Sequence, residues 1–148
     1  MTSFQHILVP VDFGDAMQPA IDVALAVARK FESRITLVNA FDVGPFATMT
    51  PFAPALDVEP LIAAAEKELK SMLTKVRADW PKTDAFFRRG TPYEAILESA
   101  KAHDCDLIVI GTHGRRGMAR ALLGSVAERV VRLSSIPVLT VHPPPATK

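Results

Sequence analysis

Five short apolar runs alternate along this chain with segments of helical period, and that alternation restricts the fold more than any other feature. Phe4–Val11, Arg34–Phe41 and Asp106–Ile110 are rich in branched aliphatic residues, Lys82–Arg89 is shorter and more polar, and Ile136–Val141 comes last. Between the first two runs, Ile21, Ala24, Leu25, Ala28 and Phe31 repeat at helical spacing. A strand can lie parallel to its predecessor only if a crossover brings the chain back, and a helix is the usual crossover. The alternation therefore predicts a five-stranded, mainly parallel α/β sheet with helices on both faces. All 148 residues fit one such domain, spanning 1–148, with enough chain to build its own core.

Start signals mark the helices. Asp15 and Gln18 stand at capping-box spacing before the first, as do Thr91 and Glu94 before the third, where Pro92 fills the first helical position. Ser125 and Glu128 repeat the spacing before Val126–Leu133. The second helix is predicted to begin near Asp57, to carry Pro60 in its first turn, and to turn Leu61, Ala65, Leu69, Met72 and Val76 to the core. Gly44–Ala55, with Pro45, Pro51 and Pro54 among Phe46, Met49 and Phe52, suits neither a regular helix nor a central strand. It is either a lid on its own domain or an exposed apolar patch.

Composition removes several function classes. A formal net charge of +1 gives no broad electrostatic reason to expect nucleic acid. The lone Cys105 allows no internal disulfide, which fits a reducing cytoplasm. The start of the chain lacks a basic leader, and no apolar run approaches the roughly 20 residues of a membrane span. A soluble, cytoplasmic protein is expected. His6, His103 and His142 are scattered without metal-ligand spacing, so no zinc site is predicted.

The chemistry is concentrated after the fourth run. Gly111-Thr-His-Gly114-Arg-Arg-Gly117 continues to Gly124-Ser125, a pattern of G-x2-G-x9-G-S that leads into a helix. Glycines let a backbone approach an anion closely, and a helix start offers unpaired N–H groups and the positive end of its dipole. Singly, Gly111 could just end a strand and Gly124 serve a turn; together, with Arg115 and Arg116 between them, they point to an anion such as a phosphate chain. Ser125 has the helix cap as a rival role. Pro10-Val11-Asp12, after the first strand, is the second loop with suitable chemistry. Asp15 is the better placed cap, which leaves Asp12 two uses: accepting from a ribose hydroxyl, or helping to hold Mg²⁺ beside phosphates. His113 is either a ligand contact or an exposed loop residue. Cys105 has no basic neighbour in sequence to activate it and is expected to pack.

Ile7-Leu-Val-Pro-Val-Asp12, the G-x2-G-x9-G-S signature and Val126-Ala-Glu-Arg-Val130 together resemble the universal stress protein family, and the element pattern matches over essentially the whole chain. The resemblance implies an open five-stranded sheet in the order 3-2-1-4-5, a homodimer and, in the branch keeping this signature, ATP binding. It places Pro10, Val11 and Asp12 at ribose and adenine, and Val38 and Asn39 beside the adenine. Gly111, His113, Gly114, Arg115 and Arg116 fall along ribose and phosphates, and Gly124, Ser125 and Val126 at the phosphates on the helix start. Mg²⁺ or Mn²⁺ would then sit at Asp12.

Three functions compete. A regulatory protein would change shape or partner with ATP occupancy; a slow ATPase would use the same site as a switch; a structural dimer would leave it empty. S-G-G-x-D-S and H-x-G-H are absent after the first strand, where the chain reads Val11-Asp-Phe-Gly-Asp15, and G-x4-G-K-[ST] is absent throughout. With only Asp12 and His113 near enough to position water, an evolved catalyst is not expected. The homodimer is expected to form through the fifth strand, an apolar edge free of charged residues.

Overall fold

The computed structural model describes residues 2–44, 57–112 and 123–144. Its elements follow the alternation: β1 (His6–Pro10), α1 (Met17–Phe31), β2 (Arg34–Phe41), α2 (Glu59–Asp79), β3 (Thr83–Arg89), α3 (Pro92–Ala102), β4 (Leu107–Gly111), α4 (Ser125–Leu133) and β5 (Val138–Val141). The strands form one sheet in the order β3-β2-β1-β4-β5, every neighbouring pair parallel. β1 is central, and the order reverses between it and β4. The Asp106 carboxylate ties these two strands at their start by accepting the N–H groups of Gln5 at 2.8 Å and His6 at 3.0 Å.

Alternation along each strand builds two cores. Ile7 and Val9 of β1, Ile35 and Leu37 of β2 and Val109 of β4 pack with Ala20, Ala24 and Ala28 of α1 and with Leu69 and Val76 of α2. Leu8, Val38, Ile108 and Ile110 point to the other face, against Ile96 and Ala100 of α3 and Ala127 and Val130 of α4. Burial on both faces is why the central runs read as continuously apolar rather than alternating.

Three details of the helices depart from sequence expectation. α1 starts after Asp15: Ala16 is its N-cap with no side-chain cap, and Gln18 instead donates to Asp22. α2 buries Ile62, Leu69 and Val76, spaced by seven, with Met72 packing on the core, whereas Leu61 is turned out and 42% exposed. The helix begins at Glu59, whose N–H is accepted by Asp57; Leu69, Met72 and Val76 face the core as expected, and the first turn buries Ile62 in place of Leu61. At α3, Thr91 and Pro92 hold the expected positions, but no side chain caps the helix and Glu94 accepts the Tyr93 hydroxyl instead. The expected strand ends agree to within two residues, the spread normal for element boundaries.

Candidate functional site

A cavity of about 220 Å³ opens over the carboxyl ends of the strands at the reversal of order. Parallel sheets place ligands here because neighbouring crossovers leave in opposite directions and a crevice remains between them. Each wall comes from a different element. Pro10, Val11 and Asp12 end β1, Val38 and Ala40 belong to β2, and Ile110, Gly111 and Thr112 close β4. Pro92 and Ile96 of α3 face the start of α4 at Gly124, Ser125 and Val126.

The α4 end carries the anion chemistry. The first bond inside this helix runs from the Glu128 N–H to the Gly124 carbonyl, 2.9 Å, so the N–H groups of Ser125, Val126 and Ala127 lack helical partners. All three residues line the cavity. Gly124, not Ser125, is the N-cap; Ser125 is the first helical residue, and no side chain caps the helix. The expected Ser125–Glu128 capping box is therefore absent, and Glu128 lies within reach of Arg132 instead.

The two signature glycines present here serve different ends. A methyl group on Gly111 would meet the Ala16 side chain at 2.7 Å and its carbonyl oxygen at 3.0 Å, so this glycine lets the start of α1 close on β4. Gly124 has φ −62° and ψ 158°, open to any residue, so its bare Cα matters for approach rather than for backbone freedom. Thr112, which sequence reasoning passed over, fixes this corner. Its N–H donates to the Val141 carbonyl at 3.0 Å, its carbonyl accepts the Gly124 N–H, and its hydroxyl meets His142 Nδ1 at 3.1 Å.

The β1 end differs from expectation in two ways. Asp12 Oδ1 accepts the Gly14 N–H at 2.9 Å, so this carboxylate, not Asp15, shapes the turn into α1. Phe13 inside that turn has φ +61°, a strained conformation for a bulky residue. Asn39 points away from the cavity, as strand alternation demands once Val38 faces it. It lines a second hollow with Phe41 and Leu61, and its side-chain amide donates to the Val11 carbonyl at 2.6 Å. Ala40, two residues beyond Val38, takes the wall position instead. Period-two counting from Val38 was the signal that could have found it.

His113, Gly114, Arg115 and Arg116 lie outside the described residues, as does nearly all of Gly44–Ala55. Among the described lining residues Asp12 is the one titratable side chain. No group of three or more metal-ligating side chains occurs among the described residues, and none of their helices is long and apolar enough to cross a membrane. Cys105 is buried, and loss of water with the nearby Asp106 charge pushes its thiol up to about 12, far from reactivity at neutral pH.

Known proteins resemble this chain in sequence and in fold. A model of the universal stress protein family matches residues 3–142. Universal stress protein MJ0531 of Methanocaldococcus jannaschii is 32% identical over 142 residues, covering 95% of this chain and 84% of its own. The structure of universal stress protein UspA from Lactobacillus plantarum superposes with a TM-score of 0.77 at 26% identity, covering 95% of this chain and 99% of that one. A universal stress protein crystallised in complex with cAMP superposes at 0.67 with 27% identity, covering 97% and 100%. Matched along nearly its whole length in sequence and in fold, this chain belongs to the universal stress protein family.

Proposed function

We propose that the cavity over the reversal binds an adenine nucleotide, with ATP as the ligand, and that occupancy modulates conformation or partner choice. The observation that carries this reading is one slot with complementary ends. At one end the N–H groups of α4 that lack helical partners suit phosphates. Between the ends, Val38, Ile96 and Ile110 offer apolar surface to a flat ring. At the other end is the backbone of Ala40. Even-numbered residues of β2 turn their backbone groups towards β1, as the Arg34 N–H to Gln5 and Val11 N–H to Val38 bonds show. Ala40 follows this parity beyond the end of β1, and its N–H has no backbone partner among the described residues. Its N–H and C=O form a donor–acceptor pair that fits the N1 and amino edge of adenine; the guanine edge reverses both. The Val11 N–H and carbonyl are already engaged, by Val38 and Asn39. That a family neighbour binds cAMP supports the same ligand class.

Asp12 stands where a ribose hydroxyl or a phosphate-bound Mg²⁺ or Mn²⁺ would lie. One carboxylate with phosphate oxygens and waters is an ordinary Mg²⁺ site, so the residues present fit the ion. Arg115 and Arg116 would add charge at the phosphates, with His113 and Gly114 beside them. A slow ATPase is the second reading, and Asp12 is the observation that favours it; holding ATP is preferred because its Oδ1 already anchors the turn. The homodimer is part of the same proposal and uses β5, in a cytoplasmic protein with no nucleic-acid or membrane partner. Calorimetric titration tests the ligand: ATP should bind at least tenfold more tightly than GTP, and Gly124→Val should abolish binding with the fold retained. Equal affinities, or ATP binding unchanged in Gly124→Val, would refute the assignment.

A further inference from the structure

The β1–β2 ladder stops one rung early, and a side chain accounts for it. Parity places the groups: Arg34 and Val38 of β2 bond to β1, while the Ile35 N–H donates to Lys82 and the Phe41 carbonyl accepts from Gly90 on the β3 side. The last β1–β2 rung is the Val11 N–H to the Val38 carbonyl, 2.8 Å. The next would run from the Ala40 N–H to the Val11 carbonyl. That carbonyl instead accepts the Asn39 side-chain amide at 2.6 Å, in a buried contact.

We propose that Asn39 is a positioning residue for base recognition: its amide substitutes for the missing rung and leaves the Ala40 N–H and C=O turned into the cavity. A carbonyl buried this deeply demands a donor. Two are within reach along the chain, the Asn39 side chain and the Ala40 backbone, and taking the first spares the second. Asn39 does so without touching the base: strand alternation sets its side chain on the face opposite Val38, and it is not among the residues that line the cavity, whereas Ala40 lines both the cavity and the second hollow. The sequence reading had set Asn39 beside the adenine; the geometry gives it an indirect part, through Ala40. The inference rests on the nucleotide reading above and deepens it, by naming what keeps the base-reading edge unpaired.

Asn39→Val cannot donate and suits a strand; Asn39→Asp keeps the shape but at neutral pH offers no donor. Amide hydrogen exchange at Ala40, read by NMR, is a measurement that a merely structural asparagine would not move. In the wild type the Ala40 amide should exchange rapidly without nucleotide and be protected by ATP. In Asn39→Val it should be protected already, because it now pairs with Val11, and ATP should bind roughly tenfold or more weakly, the equivalent of one or two lost hydrogen bonds. The preference for ATP over GTP should shrink in parallel. If Asn39→Val does not fold, Asn39→Asp carries the affinity and selectivity arms. A protected Ala40 amide in the free wild type, or wild-type affinity in the folded variant, would overturn the proposal. Should the wild type bind neither nucleotide, the ligand reading fails by itself, and the exchange rate at Ala40 still decides whether Asn39 displaces the rung.

Discussion

Gly111 and His6 show how much can depend on one atom. The Cβ that Gly111→Ala adds would come within 2.7 Å of the Ala16 side chain and 3.0 Å of its backbone oxygen, and neither neighbour is a flexible side chain that can swing away. Urea unfolding should show a loss of about 1–3 kcal/mol, the usual range for overpacking a close contact. His6 is buried, with Nε2 2.7 Å from the Thr36 hydroxyl. Burial first, then the Arg34 guanidinium, hold its imidazole below the ordinary 6.5; the His103 ring acts in the same direction, while a hydrogen bond that the imidazole donates to the His103 backbone carbonyl and the Asp106 charge oppose it. The folded state thus binds a proton at His6 less readily than the unfolded chain does. Its contribution to stability is present above pH 6.5 and is lost as pH falls through the lower folded value. Urea midpoints measured from pH 8 to pH 5 should fall more steeply for the wild type than for His6→Gln, which keeps a polar group near Thr36 but does not titrate. Parallel slopes would remove His6 as the cause.

At the scale of elements, α2 and α4 test the packing. Ile62 is 2% exposed and Leu61 is 42% exposed, although both are large, apolar and adjacent. Ile62→Ala should cost about 2–5 kcal/mol, the range for emptying a core site, while Leu61→Ala should stay within about 0.5 kcal/mol, as surface changes do. Denaturant midpoints of the two variants should therefore separate widely, and similar losses would mean the stripe assigned to α2 is wrong. The helical period was legible in the sequence, and so was its phase over Leu69, Met72 and Val76, but not in the first turn. Leu61 and Ile62 serve equally well as the first turn of an amphipathic stripe, and only the sheet beneath α2 selects between them. The capping boxes failed for a related reason. Spacing alone is satisfied at Asp15, Thr91 and Ser125, yet the hydrogen bond also needs the side chain to turn back on the helix. In α4 the close tie between Gly124 and Thr112 sets the helix start one residue earlier than that requires.

For the whole molecule, the open question of assembly falls on the two sheet edges. β3 carries Asp84, Arg88 and Arg89, with Asp84 in ion pairs to Arg34 and Arg77, while β5 carries no charge and exposes Leu139. Charges blunt an edge and their lack leaves it open to pairing, so β5 is the favoured side for a second copy. Val138→Lys with Thr140→Lys should shift sedimentation towards monomer, and Phe46→Ser with Phe52→Ser should not; the reverse result would move the interface to the proline-rich segment. The alternation of runs and the glycine signature were enough, by themselves, to determine the fold class, the parallel sheet and the segments whose described ends, Gly111-Thr112 and Gly124-Ser125, line the cavity, because hydrophobic period and glycine are local properties. The resemblance supplied strand order, which no local property encodes. Tertiary structure alone decided which face each neighbouring residue takes: Ala40 in the wall and Asn39 behind it, Ile62 inward and Leu61 outward, Gly111 packed on Ala16. These choices depend on contacts between residues distant in sequence, and a one-residue change of phase reverses every one of them.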